Sequence, residues 1–194
     1  MQLYIRNIQE YIKLQGLELV TASRRESIQK YIKTEDKARC LTAGLLLRDV
    51  CGVTDDEQLI TGKNGKPYLK NKSTFFNISH SGDYAVLAVA DSEIGVDIEK
   101  VTHYSEAVAM RCFTQEERDW LKTQPGNEAF FRLWTAKESV MKATGFGFSL
   151  PPRSFTVLPL NSCFVLNKNW LLNWIFHDNY IICCAVDEHI ALLR

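Results

Sequence analysis

Apolar and polar positions along the chain fall into two rhythms. Alternation and short apolar runs predict strands at Leu3–Ile8, Phe75–Ser79, Tyr84–Ala90 and Ile94–Glu99, the last three separated by Ser81-Gly82-Asp83 and Asp91-Ser92-Glu93. Between Ile8 and Val20 the helical pattern is weak. Ser23-Arg-Arg-Glu26 reads as a capping box that starts a short helix to about Ile32. Thr34 then caps a longer helix, Glu35–Cys51, with Ala38, Leu41 and Leu45 on one side and Gly52 as its stop. Gly62-Lys-Asn-Gly65-Lys66-Pro67 reads as a turn between two strands. Beyond Val101 the rhythm turns helical. A second capping box, Thr114-Gln-Glu-Glu117, starts a helix to about Thr123, and Pro125-Gly126-Asn127 breaks the chain. Asn127 caps a helix to about Thr144, stopped by Gly145 and Gly147, and Ser154–Arg194 reads as strands.

The pattern repeats. Gly82-Asp-Tyr-Ala-Val-Leu-Ala-Val-Ala-Asp91 is echoed by Asp178-Asn-Tyr-Ile-Ile-Cys-Cys-Ala-Val-Asp187, each a polar turn, a Tyr, a buried strand and an Asp. A capped helix, a glycine turn and an intervening strand precede each copy. The order predicts an α+β fold of two pseudo-symmetric halves, 1–101 and 102–194.

The densest chemistry lies in Gly95-Val96-Asp97-Ile98-Glu99. On a strand, Asp97 and Glu99 share a face while Val96 and Ile98 bury the other. Neighbouring carboxylates repel unless they are solvated, protonated or bridged by a cation. Two readings follow: a solvated edge strand, or ligands for a hard divalent ion such as magnesium. In Trp134-Thr-Ala-Lys137-Glu138-Ser139-Val-Met-Lys142, helical spacing puts Trp134, Glu138 and Lys142 on one side. There Glu138 is either a third ligand or base beside a phosphate-binding Lys142, or the two form a surface ion pair. Phe76-Asn77-Ile78-Ser79-His80-Ser81 ends a strand in polar donors beside a Gly-Asp turn. His80 is placed to donate to a phosphate oxygen, or merely to satisfy the turn.

Composition sets limits. The 194 residues are 46% hydrophobic, enough for a sizeable core, and 23 basic side chains balance 23 acidic ones. That balance speaks against a general nucleic-acid binder and leaves Arg24–Arg39 as a local basic patch. The six cysteines form no C-x-x-C pair, so a zinc site is not expected, and free thiols suit a reducing cytoplasm. The first residues carry no signal-peptide pattern, and no apolar run reaches the roughly 20 residues of a membrane span. With no G-x-S-x-G elbow, a serine hydrolase is not indicated.

In this order, GKP, FNISHS, GVDIE and WTAKES-x-x-K resemble the two-lobed 4′-phosphopantetheinyl transferases that activate surfactin and other peptide synthetases. The resemblance runs from about Thr34 to Pro152; it is faint before Ser23 and loose after Phe155. It implies a fold of two pseudo-symmetric halves with the active site between them, acting as a monomer without nucleic acid or membrane. It implies transfer of 4′-phosphopantetheine from coenzyme A to a serine of an apo acyl or peptidyl carrier protein, giving adenosine 3′,5′-bisphosphate. Carried over by motif, Asp97, Glu99 and Glu138 hold Mg2+; Glu138, Glu99 or a bound water takes the serine proton; Lys142 neutralises the transferring phosphate. The same resemblance gives His80 and Lys66 the donor phosphates with Ser79 beside them, Arg39 the adenosine end, and Lys33 or Lys30 the 3′-phosphate. It puts carrier docking on the helix after Thr114 and the loop near Thr102–Met110. The rival readings are another magnesium-dependent phosphotransfer or phosphate-ester hydrolysis, a non-catalytic binding module, and a plain structural domain.

Overall fold

The computed structural model describes residues 1–188. The end of the strand-rich stretch predicted for the C-terminus, residues 189–194, therefore lies outside the described residues. In chain order, β1 (Gln2–Asn7) leads through two 3-10 turns to α1 (Ala22–Lys30) and α2 (Thr34–Cys51). The hairpin β2 (Leu59–Thr61) and β3 (Pro67–Leu69) follows, then β4 (Phe75–Ser81), β5 (Tyr84–Ala90) and β6 (Ile94–Lys100). Helices α3 (Glu106–Cys112), α4 (Gln115–Lys122) and α5 (Glu128–Ala143) come next, and β7 (Ser162–Val165), β8 (Lys168–His177) and β9 (Tyr180–Asp187) complete the order.

Local chemistry explains most boundaries. Thr114 and Glu117 form the expected capping box of α4, and Gly52, at φ 70°, ends α2 in the left-handed conformation that glycine tolerates. The start of α1 differs from the sequence reading. Its cap is Thr21, whose hydroxyl accepts from the Arg24 amide, while Ser23 donates to Asp56 across the fold. Thr34 and Asn127 make no side-chain cap; Thr34 is instead the first residue of α2. The segment read as a docking loop at Thr102–Met110 contains the start of α3.

Two antiparallel sheets, β1-β5-β4 and β6-β9-β8-β7, form the frame. On β5, Ala85, Leu87 and Val89 pack with Leu46 and Leu47 of α2, while Val86, Ala88 and Ala90 turn the other way. They meet Val96 and Ile98 of β6 and Ile182 and Cys184 of β9 in a shared core. The opposite face of β9, Ile181, Cys183 and Ala185, packs with Leu133, Ala136 and Val140 of α5. Each half is thus a helix on a sheet, and the sheets meet back to back.

The halves exchange contacts reciprocally at their hairpin tips. Tyr180 donates to Asp83 at 2.8 Å, and Tyr84 donates to Asp178 at 2.9 Å. Gly82, at φ 52°, has no room for a side chain, because a Cβ there would overlap the Tyr180 hydroxyl.

Strand β6, read as the end of the first half, hydrogen-bonds to β9. Taken by sheets, the chain divides between Ala90 and Ile94 rather than after Val101. β5 already has β1 on one edge and β4 on the other, so β6 cannot pair with β5, and it joins β9 instead. β6 still lies against β4, to which it is tied by side chains. Asn77 accepts from the Val96 amide at 2.9 Å, and Ser81 accepts from the Lys100 amide at 3.2 Å.

Candidate active site

A cleft of about 420 Å³ opens where β4, β6 and α5 converge, and its walls include Ser79, His80, Asp97, Glu99, Trp134, Glu138 and Lys142. Each side chain arrives by a local rule. Alternation on β6 sends Val96 and Ile98 into the shared core and Asp97 and Glu99 towards α5. Helical spacing on α5 turns Trp134, Glu138 and Lys142 to the cleft, while Lys137 points inward. Lys137 is 1% exposed and satisfied by Glu117 at 2.9 Å and by the Pro152 and Phe155 carbonyls. Gly95 permits the close approach of α5, since a Cβ there would overlap the Ser139 carbonyl and the Ala143 amide.

The charges in the cleft are only partly compensated. Lys142 donates to Asp97 Oδ1 at 2.6 Å and to Ser79 Oγ at 3.0 Å, and Ser79 donates to the same Asp97 oxygen at 2.8 Å. Asp97 Oδ2 is buried without a hydrogen-bond partner among the described residues. Glu99 accepts from Ser81 at 2.9 Å and from the Trp134 indole at 3.1 Å. Burial raises the Glu99 carboxyl and the Asp97 charge raises it further, against those two donors. Glu138 receives no hydrogen bond among the described residues. Burial first, then Asp97, lifts its carboxyl to about 7 despite Lys142. His80 keeps accessible surface, but that surface faces the cleft; burial there, with Lys142, Arg39 and Arg24 nearby, lowers its pKa. A neutral imidazole with one N–H remains a hydrogen-bond donor.

Three carboxylates therefore share one cleft, although no three His, Cys, Asp or Glu side chains among the described residues stand as a ready ion cage. Lys142 occupies the Oδ1 side of Asp97. The donor set still fits a hard divalent cation. It consists of oxygens alone, one of them buried and unpartnered on Asp97, with an unbonded carboxyl on Glu138.

Other predicted site residues lie outside the cleft walls. Lys66 is buried, and its three donors are taken by Glu93 at 2.6 Å and by the Ile94 and Ala143 carbonyls, each at 3.0 Å. It fastens α5 to the β6 strand start, and no N–H is left for a phosphate. Its neighbour Pro67 lines the cleft instead. Arg39 donates to the Gly82 carbonyl at 2.6 Å and to Asp36, and Lys33 and Lys30 are exposed beside it. The residue that sequence reasoning left unassigned is Arg24. It lines both this cleft and an adjoining hollow of about 510 Å³ bounded by Thr21, Ser23, Ser27 and Asp56. Its only signal was membership of the basic patch at the start of α1.

Known proteins resemble both parts of the chain. Residues 10–92 match the N-terminal 4′-phosphopantetheinyl transferase family, and residues 93–187 match the 4′-phosphopantetheinyl transferase superfamily. The 4′-phosphopantetheinyl transferase gsp of Aneurinibacillus migulanus is 33% identical over 147 residues, covering 71% of this chain and 61% of its own length. The 4′-phosphopantetheinyl transferase Sfp of Bacillus subtilis is 33% identical over 150 residues, 73% of this chain and 67% of that protein. The L-aminoadipate-semialdehyde dehydrogenase-phosphopantetheinyl transferase of Mus musculus is 28% identical over 210 residues, 91% of this chain and 66% of that protein. The chain spans a little under two thirds of the gsp relative.

Proposed function

The chain belongs to the 4′-phosphopantetheinyl transferase superfamily, and from that premise we propose that it moves 4′-phosphopantetheine from coenzyme A to a serine of an acyl or peptidyl carrier protein. The serine oxygen bonds to the phosphorus that bears pantetheine, the pyrophosphate P–O bond breaks, and adenosine 3′,5′-bisphosphate leaves. The observation that carries the reading is the convergence of Asp97, Glu99, Glu138, Lys142, Ser79 and His80 on one cleft from three separate elements.

The roles follow from chemistry. Asp97, Glu99 and Glu138 are the residues we assign to magnesium, which when bound neutralises the pyrophosphate and improves the leaving group. Lys142 stands in the cleft with Ser79, where its ammonium meets the charge that develops on the transferring phosphate. His80 and Arg24 line the same wall and supply donors to phosphate oxygens. Glu138, with a carboxyl at about 7 and no hydrogen bond among the described residues, is suited to take the serine proton, directly or through a water. Little covalent help is required, since transfer of a phosphoryl-type group depends on positioning and charge neutralisation.

We assign carrier docking to the groove between α3 and α4, lined by Tyr104, Met110, Leu121 and the charged Glu106, Arg118 and Lys122. Its apolar floor and the excess of two basic side chains over one acidic suit an acidic partner. One chain supplies both walls of the cleft, so we take the working unit as a monomer, and six free thiols suit a reducing cytoplasm.

Incubation with coenzyme A, magnesium and a panel of apo carriers from fatty-acid, polyketide and peptide synthesis tests the reading. The expected result is a carrier heavier by one phosphopantetheine on serine. Unchanged mass across the panel overturns it.

A further inference from the structure

Glu99 is held differently from the other carboxylates in the cleft. Each of its oxygens meets one neutral donor: Oε2 accepts from the Ser81 hydroxyl and Oε1 from the Trp134 indole. A carboxylate gripped at both oxygens has its plane fixed. Lys142 makes its ion pair with Asp97 and reaches Glu99 only through its charge, so the directional contacts here are the two neutral donors.

The indole is itself clamped. Its ring lies parallel to Phe130, with centroids 6.4 Å apart and planes 7° apart. Phe130 is 5% exposed and stacks at 4.4 Å and 7° on Tyr104. Phe131 and Phe113 hold Phe130 from other sides, with centroids 5.2 Å away in each case. Tyr104 lines the groove between α3 and α4, and Trp134 lines the cleft. A row of three parallel rings thus runs from one surface depression to the other and ends on a carboxylate.

We infer that Trp134 is a positioning residue that orients Glu99, and that the Tyr104–Phe130 stack holds the indole in the plane its hydrogen bond needs. The inference rests on the reading of Glu99 as a cation ligand given above. Donors behind a ligand set its orientation, and their loss typically weakens metal affinity about 10–100-fold. The first half of the molecule shows what α5 would carry without this duty. The position equivalent to Trp134, counted back from the glycine that ends each helix, is Leu41 in α2, a fully buried side chain with no donor.

The experiment titrates Mn2+ into the protein with coenzyme A present and no carrier, reading bound ion by electron paramagnetic resonance, alongside a thermal melt. Trp134→Phe keeps the ring and removes the N–H. It is expected to weaken Mn2+ binding about tenfold with its melting temperature close to that of the parent. Tyr104→Leu leaves the N–H in place and loosens the far end of the stack, and is expected to weaken binding about threefold as a fraction of that effect. Parent-like affinity in a folded Trp134→Phe protein overturns the inference and leaves the cation reading standing. If Trp134→Phe does not fold, Tyr104→Leu decides in its place, parent-like affinity there overturning the inference. Absence of Mn2+ binding in the parent protein removes the cation reading and the inference with it.

Discussion

Helices α2 and α5 do the same architectural task with opposite chemistry. Each lies on a sheet and is followed by a left-handed glycine, Gly52 at φ 70° and Gly145 at φ 71°. Three residues before that glycine stands Asp49 in one half and Lys142 in the other. The strand position facing the residue after the hairpin tyrosine is Arg6 on β1, opposite Ala85, and Glu99 on β6, opposite Ile181. In the first half, Arg6 and Asp49 close on each other at 2.9 Å. In the second, Lys142 goes to Asp97, and Glu99 is left to two neutral donors. Seven residues before the glycine, the first half has buried Leu45 where the second has Glu138, without a hydrogen bond among the described residues. The fold is complete in the version with the ion pair and the leucine. The surplus negative charge of the second half is therefore not a requirement of packing. It destabilises the half that bears it, which is what a functional site does.

The sharpest way to break this comparison is to make the second half resemble the first. Asp97→Ala or Glu138→Ala is expected to lower carrier modification on the order of 10²–10³-fold, with both variants folded and Glu138→Ala melting at or above the parent. Parent-like turnover in either variant, measured by carrier mass, removes the carboxylates from the mechanism. Next in size is Gly95→Ala. The added Cβ meets backbone of α5, which cannot yield as a side chain can, and overpacking of this kind costs about 3 kcal/mol. The matching residue of β1 is Gln2, opposite Val89 as Gly95 is opposite Ala185, and it is exposed. Gln2→Ala is expected to cost under about 0.5 kcal/mol. Equal losses in the two variants, by denaturant titration, would mean that α5 does not depend on the close approach.

Much of this asymmetry was legible in the chain itself. The spacing of Asp97 and Glu99, and of Trp134, Glu138 and Lys142, follows from strand and helix periods, and all five side chains line the cleft. The repeated hairpin was visible because the Tyr and the turn recur together. What stayed hidden was long-range. Alternation says that β6 is a strand but does not name its partner: β5 is closed to it by β1 and β4, and it pairs with β9, distant in sequence. The family resemblance gives Lys66 to the donor phosphates, yet Lys66 reaches the Ala143 carbonyl at the end of a helix 77 residues away. Arg24 lacked any spacing signal, because its cleft is assembled from elements distant in sequence.

The pH dependence of stability sharpens the comparison further. Leu45 does not titrate; Glu138 does, and its carboxyl rises from an ordinary 4.5 to about 7 in the fold. Between those values the folded protein holds a proton that the unfolded chain has released. Stability from this group is therefore complete below about pH 4.5 and falls as pH rises through about 7. Glu99 is shifted in the same direction by burial and adds to the slope. The expected loss across the window is about 2 kcal/mol in protein freed of divalent ions, discounted for the partial exposure of Glu138. Glu138→Gln is expected to flatten most of it in denaturant melts run at several pH values. An unchanged slope in that variant would place the titration elsewhere.

The smallest expected effect belongs to the ion pair that occupies the corresponding place in the first half. Arg6 and Asp49 are 22% and 31% exposed, so water screens them and competes for both groups. Asp49 also accepts from Arg48, whose side chain is 28% exposed and stays solvated when Asp49 is neutralised. Arg6→Met with Asp49→Asn should therefore cost under about 1 kcal/mol, and less as salt is raised. Carrier modification should remain at the parent level, because neither residue lines the cleft. A loss of transfer in this double variant, with the fold intact by melting, would show that the first half carries chemistry after all and that the division of labour between the two helices is wrong.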